Sequence, residues 1–354
     1  MPWWAWAWPA LGWAVLAIAA TLGTSSFLAA AGGVVLLLAV FAAVYHAEII
    51  AHRVGEPFGT LVLALAVTVI EVALIASMMI ADPTAHAELA RDAVYSAIMI
   101  VCNGIVGACL LLGGARHYEQ RFQLQGATAA LAVLTPLSGL TLILPNVATT
   151  VPGPSFSTSQ IVFEGLVSLV LYGSFVFVQT VRHRDYFLPV IAKDEEAHAP
   201  PPSMTTALVS AGVLLISLGA IVALAKLLTP SIEAAVERLD VPKAVVGIVI
   251  AALVLLPESL AAVRAARADR LQTSLNLALG SVLATIGLTI PAVAAISLLL
   301  HQPMQLGLGG TGQVLLVLTL VLNVITLGTS RTTVLQGIVH LVMFAVFLFF
   351  SIVP

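Results

Sequence analysis

The sequence predicts an all-α polytopic membrane protein of about eleven transmembrane helices, built as two inverted five-helix repeats preceded by one extra N-terminal helix. Three observations carry this prediction. Of 354 residues, 60% are hydrophobic and 9% charged, and the mean hydropathy is +1.09, outside the range of a soluble core. Long apolar runs recur along the whole chain, separated by Gly, Pro and charge. Two of those runs open at a short acidic-Pro turn and place a single glutamate near their middle.

In chain order, the apolar runs fall near residues 3–22, 26–47, 57–80, 92–114, 125–145 and 160–181, then 205–228, 243–264, 271–300, 313–329 and 332–353. The first holds all five tryptophans within its opening residues, as Trp3, Trp4, Trp6, Trp8 and Trp13. That clustering suits an interfacial anchor on a peripheral helix, and without a basic n-region it does not read as a cleaved signal peptide. Residues 1–24 are therefore a peripheral helix and 25–182 a first repeat. A charged, proline-rich linker follows at 183–204, and 205–354 form a second repeat. Five spans is an odd number, so the second half enters the membrane from the opposite side, which makes the repeats inverted. The run 271–300 is too long for a simple crossing and holds Gly280, Gly287 and Pro291, so a break or strong kink is expected within it. Ser231 to Asp240 reads as a separate short amphipathic segment leading into the eighth span.

Orientation follows from Lys and Arg. One side collects Arg53, Arg116, Arg121, Arg182, Arg184, Lys193, Arg264, Arg267, Arg270 and Arg331; the other has Arg91, Lys226, Arg238 and Lys243. This bias places the N-terminus and linker in the cytoplasm and the C-terminus outside. A net charge of −3 without a basic block excludes a nucleic-acid partner. Membrane lipid and transported cations are the expected partners. Oligomeric state is not encoded in any recognisable pattern.

Glu71 lies 14 residues after Pro57, roughly 21 Å along a helix in a hydrocarbon layer ~30 Å thick. A carboxylate at that depth costs about 2.5–3.5 kcal/mol on an insertion scale, and its default meaning is an ion or proton site. Glu258 lies 16 residues after Pro242. No Lys or Arg occupies any span centre, so a structural ion pair has no evident partner for either acid. Pro257 removes a backbone N–H and frees the carbonyl of Leu253, which adds an oxygen beside Glu258 for a hard cation. Thr68 offers a hydroxyl one turn before Glu71. In the helices that follow each glutamate, Cys102-Asn103-Gly104 and Gly280-Ser281 through Thr285 form matching small-polar stretches. Asn103, Ser281 and Thr285 are possible supporting ligands there, with Gly280 and Pro257 as helix breaks.

Other polar residues have duller readings. Glu164 opens its span and reads as solvated or interfacial. Asn276 and Asn323 read as packing, and Asp82, Glu88 and Asp92 as a solvated external connection. Cys102 and Cys109 are too far apart on one helix to bridge. The histidines show no metalloprotease spacing, and Ser259 has no base among the spans, so the chain is not read as an enzyme. A channel would need a ring or filter from symmetric subunits, whereas the polar symmetry here is internal and two-fold.

Gly55-Glu-Pro-Phe-Gly-Thr-Leu through Thr68-Val-Ile-Glu71-Val-Ala-Leu, and Leu256-Pro-Glu258-Ser-Leu-Ala-Ala-Val-Arg through Gly280-Ser281, resemble the bacterial ChaA-type calcium/proton antiporters of the cation/calcium exchanger superfamily. The resemblance covers most of residues 45–350. It implies eleven helices in two inverted repeats and a central cation site with one acid from each repeat, here Glu71 and Glu258. It also implies export of Ca²⁺ in exchange for H⁺, with Na⁺ and K⁺ as alternative cations and no resident cofactor; a sodium-driven exchanger is the closest rival. The superfamily's Gly-Asn before the acid is replaced here by Thr68-Val-Ile and Leu-Leu-Pro257. Two carboxylates with one Ca²⁺, or with two protons, sum to zero charge, whereas the empty pair carries −2 and is strongly disfavoured at the membrane centre.

The charge bias is open to test. Cysteines placed in 183–204, on a background lacking Cys102 and Cys109, should resist an impermeant thiol reagent in whole cells, and rapid labelling from outside would reverse the topology.

Overall fold

A computed structural model describes residues 1–55, 58–81, 87–188, 201–238, 242, 244–301 and 304–353. The acidic-Pro turns (Glu56-Pro57, Asp240-Val241), Asp82, Lys243 and most of the linker, Lys193 included, lie outside the described residues. Eleven helical segments are present: α1 (Trp4–Leu22), α2 (Ser26–Val54), α3 (Phe58–Ala81), α4 (Leu89–His117), α5 (Leu124–Asn146), α6 (Thr158–Arg182), α7 (Met204–Arg238), α8 (Ala244–Arg267), α9 (Leu271–Leu300), α10 (Gly310–Leu327) and α11 (Val334–Ile352). Ten are long and apolar enough to cross a membrane, and α3 contributes a shorter apolar run, Ala64–Ile80. Pairs of two-residue strands, β1 (Gln120–Arg121) and β2 (Arg331–Thr332), join antiparallel.

The chain divides into two compact units that do not follow the sequence halves. The first, Met1–Pro83 with Asp194–Val241, contains α1, α2, α3 and α7. Its centre is the long pairing of α2 with α7. Ser25 caps α2 by accepting from Leu28 N–H at 3.2 Å, and Gly55, at φ 77°, ends it. A 29-residue helix measures about 43 Å, longer than the hydrocarbon layer. Peripheral α1 is fastened to this pair: Trp13 Nε1 donates to the Ile216 carbonyl at 3.2 Å, and His46 Nε2 pairs with the Ala5 carbonyl at 3.1 Å. Gly12 keeps α1 close to α7, since a Cβ there would lie 3.3 Å from Ala220.

The separate amphipathic segment expected at Ser231–Asp240 is instead the last part of α7, which runs through Pro230 to Arg238. Pro230 deletes one helical hydrogen bond, yet the following Ile-Glu-Ala-Ala-Val-Glu-Arg is rich in helix formers and carries the helix on.

The second unit, Thr84–Lys193 with Pro242–Pro354, holds the other seven helices. Its connections gather by end. At one end β1 meets β2, Gln120 Nε2 donates to the Ala266 carbonyl at 2.9 Å, and His117 Nε2 pairs with the Arg267 carbonyl at 3.1 Å. The α4–α5, α8–α9 and α10–α11 connections thus lie together, and they carry Arg116, Arg121, Arg264, Arg267, Arg270 and Arg331. At the other end Gln305 N–H donates to the Ala87 carbonyl at 2.9 Å and Gly307 N–H to the Pro154 carbonyl at 3.0 Å. Alternate connections at alternate ends are what the span count requires.

That second end also revises the reading of Asp92 as freely solvated, while Glu88 stays exposed. Arg91 bonds Asp92 at 2.8 Å, Glu88 at 2.9 Å and the Gly307 carbonyl at 3.2 Å, and Asp92 is buried. The guanidinium fork matches two carboxylates and a carbonyl at once, which makes burial tolerable. Asp92 backs onto Gly247 of α8, where an added Cβ would lie 2.8 Å from its main chain.

Four helices depart from regular geometry. α4 carries a π-helical turn at Ile100–Ile105, α5 one at Gly139–Ile143, α6 one at its end, Val178–Arg182, and α9 one at Thr285–Thr289. The break expected in α9 is therefore a π-turn, not an interruption, and it falls after Gly280, which sits in regular helix. Pro257 likewise lies inside an unbroken α8. Helices α4 and α9 are the third of each predicted repeat, and both carry their π-turn where the small-polar stretches occur. The last helix of each repeat, α6 and α11, opens with a capping box, Ser157/Gln160 and Thr333/Gln336.

Two glycine substitutions separate close packing from open space. Gly247→Ala should destabilise the protein by about 1–3 kcal/mol through overpacking against Asp92. Gly280→Ala, with no atom within 4 Å of its Cβ, should be neutral or slightly stabilising. Thermal unfolding of both purified variants checks this, and equal melting temperatures would contradict the α4–α8 packing.

Candidate functional site

Glu71 belongs to the first unit, midway along α3, with 2% of its surface exposed. Its helix carries no other charged residue. Thr68, one turn earlier, is buried, and its hydroxyl donates to the Ala64 carbonyl at 2.9 Å. That bond leaves the oxygen's lone pairs as the part able to meet a cation. Glu258 belongs to the second unit, on α8, 8% exposed, directly after Pro257. The Leu253 carbonyl lies on the same helix, one turn before Pro257, where the proline ring can offer no N–H. Ser259, next in sequence, spends its hydroxyl on the Leu255 carbonyl at 2.6 Å. Both glutamates are thus buried in apolar helices.

The supporting candidates of the second unit separate into two kinds. Ser281 of α9 is buried, and its hydroxyl has no hydrogen-bond partner among the described residues. A buried hydroxyl left in that state costs about 1–3 kcal/mol unless water or an ion meets it. Thr285 is buried at the first position of the α9 π-turn, which packs against the first turns of α4. Asn103, by contrast, is committed to protein partners. Its Nδ2 donates to Thr319 Oγ1 at 2.8 Å, and its Oδ1 lies 3.3 Å from His340 Nδ1.

Those bonds belong to a network that the sequence did not announce. His340 of α11 is fully buried, and its Nε2 pairs with Thr326 Oγ1 at 3.1 Å. Asn323 Nδ2 donates to the Thr319 carbonyl at 2.8 Å and to the Cys102 carbonyl at 3.4 Å. The second of these carbonyls lies in the α4 π-turn, whose altered pattern offers oxygens to side chains. The network ties α4, α10 and α11. Gly107 makes room for it, since a Cβ there would lie 2.9 Å from the His340 Cβ. Asn323 therefore packs as expected, but as one node of a polar chain. Asn276 also bonds locally, to the Phe187 carbonyl at 2.6 Å and to Gln272 Nε2 at 2.8 Å. Cys102 and Cys109 are buried free thiols.

Glu164 needs correction. It is not solvated: 5% exposed, it accepts from Thr141 Oγ1 at 2.5 Å and from Ser168 Oγ at 2.9 Å, both on Oε1. The helix begins at Thr158, so Glu164 sits almost two turns inside, and the π-turn of α5 brings Thr141 to it.

Helices of membrane-spanning length, buried intramembrane carboxylates and irregular turns carrying small polar residues define a polytopic protein of the ion-transport type. Residues 24–181 and 209–353, on either side of the linker, match the sodium/calcium exchanger protein family, and the chain belongs to it. It is 50% identical to the ionic-transporter candidate y4hA of Sinorhizobium fredii, over 100% of this chain and 97% of that one. It is 39% identical to the sodium-potassium/proton antiporter ChaA of Escherichia coli, over 88% of this chain and 85% of that one. Among solved structures the fold matches native YfkE with a TM-score of 0.77 at 15% identity, over 99% and 100% of the two chains. It matches the H⁺/Ca²⁺ exchanger CAX with a TM-score of 0.74 at 14% identity, over 98% and 87%.

The two kinds of candidate should respond differently to truncation. Asn103→Ala removes two interhelical hydrogen bonds, each worth about 0.6–2 kcal/mol in a membrane protein, and should lower the melting temperature clearly. Ser281→Ala removes a hydroxyl without a bond and should leave it almost unchanged. A large loss in Ser281→Ala would mean that its hydroxyl is part of the packing.

Proposed function

We propose that this protein is a secondary active transporter that exports Ca²⁺, and with it Na⁺ or K⁺, in exchange for H⁺ by alternating access, with Glu71 and Glu258 as the cation- and proton-binding groups. The observation that carries the proposal is the pair itself. Each half of the chain buries a glutamate, Glu71 or Glu258, in an apolar helix that follows the same kind of acidic-Pro sequence. A cation exchanger must neutralise its cargo inside a low-dielectric layer and then exchange that cargo for something of equal charge. Carboxylates meet both needs, since each is neutral with one proton or one monovalent cation, and two are neutral with one Ca²⁺. Thr68, the Leu253 carbonyl, Ser281 and Thr285 would complete the oxygen set around the cargo.

The antiporter relative from Escherichia coli, named for sodium, potassium and protons, supports proton coupling and monovalent cargo. The calcium assignment rests on the charge arithmetic and on the motif resemblance. We place the protein in the bacterial cell membrane, with the N-terminus and linker cytoplasmic, on the arginine bias.

Flux into proteoliposomes under an imposed pH gradient, with Ca²⁺, Na⁺ and K⁺ supplied separately, tests the reading. Glu71→Gln and Glu258→Gln keep the side-chain volume but cannot titrate. Either change should abolish calcium/proton exchange while the protein still folds, because the amide removes the cost of a buried charge. With one surviving carboxylate, a monovalent cation should still exchange weakly. Near-normal Ca²⁺ exchange by either variant sinks the two-glutamate mechanism.

A further inference from the structure

We propose that Glu164 is a second proton-binding site of the protein, separate from Glu71 and Glu258 and reached through a groove between α5 and α6. The groove encloses about 400 Å³ and is lined by Leu140, Leu144, Phe156, Phe163 and Val167, with Glu164 in its wall. It lies toward the end of the second unit that holds the α5–α6 connection, away from the arginine-rich end.

The hydrogen bonds of Glu164 select the proton over a metal ion. Both hydroxyl donors, Thr141 and Ser168, converge on Oε1, while Oε2 is buried without a hydrogen-bond partner among the described residues. A carbonyl oxygen accepts two bonds, so this asymmetry fits a carboxylic acid whose carbonyl is Oε1 and whose O–H, on Oε2, finds no acceptor among the described residues and is left for water to meet. A metal ion would need several oxygens arranged around it; the groove is mostly apolar, and of its two other polar side chains, Ser159 and Gln160, the latter is spent on Ser157 and Thr150.

Among the described elements packed against α6, no protein cation competes for the charge. Those elements are α5, the Thr285–Thr289 and Ile290–Leu300 parts of α9, and the continuation of α6 to Arg182. Within Leu124–Ile143 and Thr285–Leu300 no Asp, Glu, His, Lys or Arg occurs, and on α6 itself the other ionisable groups are Tyr172 and the terminal Arg182. An ionised Glu164 is therefore balanced only from outside, and a proton entering by the groove achieves that with the fewest atoms moved. When the proton leaves, water in the groove can meet Oε2, while Thr141 and Ser168 continue to hold Oε1.

Proton exchange here also has a mechanical consequence. Thr141 sits in the π-turn of α5, and α6 lies hard against the π-turn of α9, where a Cβ on Gly287 would lie 2.6 Å from Tyr172 Cβ. A change in the charge at Glu164 alters the bond that fastens one π-turn to a helix abutting another.

Infrared difference spectra of the purified full-length protein between about pH 5 and about pH 9 test the site without relying on transport. In a Glu71→Gln/Glu258→Gln background, where the two exchange-site acids no longer titrate, a protonated-carboxyl stretch should remain, and the further change Glu164→Gln should remove it. Thr141→Val and Ser168→Ala, which each remove one donor from Oε1, should shift that band to higher frequency, and they carry the test if Glu164→Gln does not fold. Leu144→Trp, filling the groove, should slow hydrogen–deuterium exchange of the same band. Persistence of the full band after Glu164→Gln in that background, or no shift in both hydroxyl variants, overturns the site; an unchanged exchange rate in Leu144→Trp overturns the route. Loss of ion flux in the glutamine variants of Glu71 and Glu258 bears only on the exchange mechanism and leaves this result independent.

Discussion

Within hydrocarbon, a polar group that is not bonded inside the protein has nothing else to bond to, and that constraint organises the second unit. Its π-turns illustrate the point. Each relaxes the regular i to i−4 pattern inside a membrane helix, where water cannot repair the change. At Ile100–Ile105 the repair comes from Asn323, which donates to the Cys102 carbonyl. Asn103, Thr319, Thr326 and His340 then satisfy one another in turn. Asn323 Oδ1 is left without a partner among the described residues, but the other members spend their polar groups on one another, which is why the network reads as structure rather than as a cation shell.

Measured against that standard, the residues that are not consumed by the protein stand out. Ser281 is buried with a hydroxyl that bonds nothing among the described residues, and Glu164 has one bonded and one unbonded oxygen. Asn103 was the more attractive ligand by residue type, yet its amide is spent on Thr319 and His340. The chemistry of a side chain therefore matters less to its availability than the neighbours the fold has already given it.

Much of the fold was legible because hydropathy and membrane thickness leave few alternatives. Eleven runs became eleven helices, and within the second unit the described connections fall at alternating ends. The buried positions of Glu71 and Glu258 followed from their distance into an apolar run. What the sequence hid depends on contacts between distant residues. His340 and Asn323 sit in runs whose periodicity says only that they are helical; their bonding to α4 spans more than 200 residues. Asp92 looked solvated because it borders a loop, and only the fork of Arg91 explains its burial. Glu164 was misplaced by reading a span start as a surface. Gly280 was chosen as the break because glycine weakens a helix locally, whereas the irregularity settled five residues on, at Thr285, where α6 and α4 press against the helix.

The family match and the fold match speak to different questions. A shared fold at 15% identity constrains where helices cross, since crossing is governed by hydropathy, which many sequences satisfy. Cargo choice depends on how many oxygens surround a charge and on how much charge they carry, which a handful of residues decide. Where the superfamily places Gly-Asn before each acid, this chain places Thr68-Val-Ile and Leu-Leu-Pro257. The first substitution offers a hydroxyl already bonded to Ala64, and the second a carbonyl freed by proline. A backbone carbonyl is an amide oxygen like that of asparagine, so what the replacement changes is the number and placement of neutral oxygens beside each acid rather than their kind.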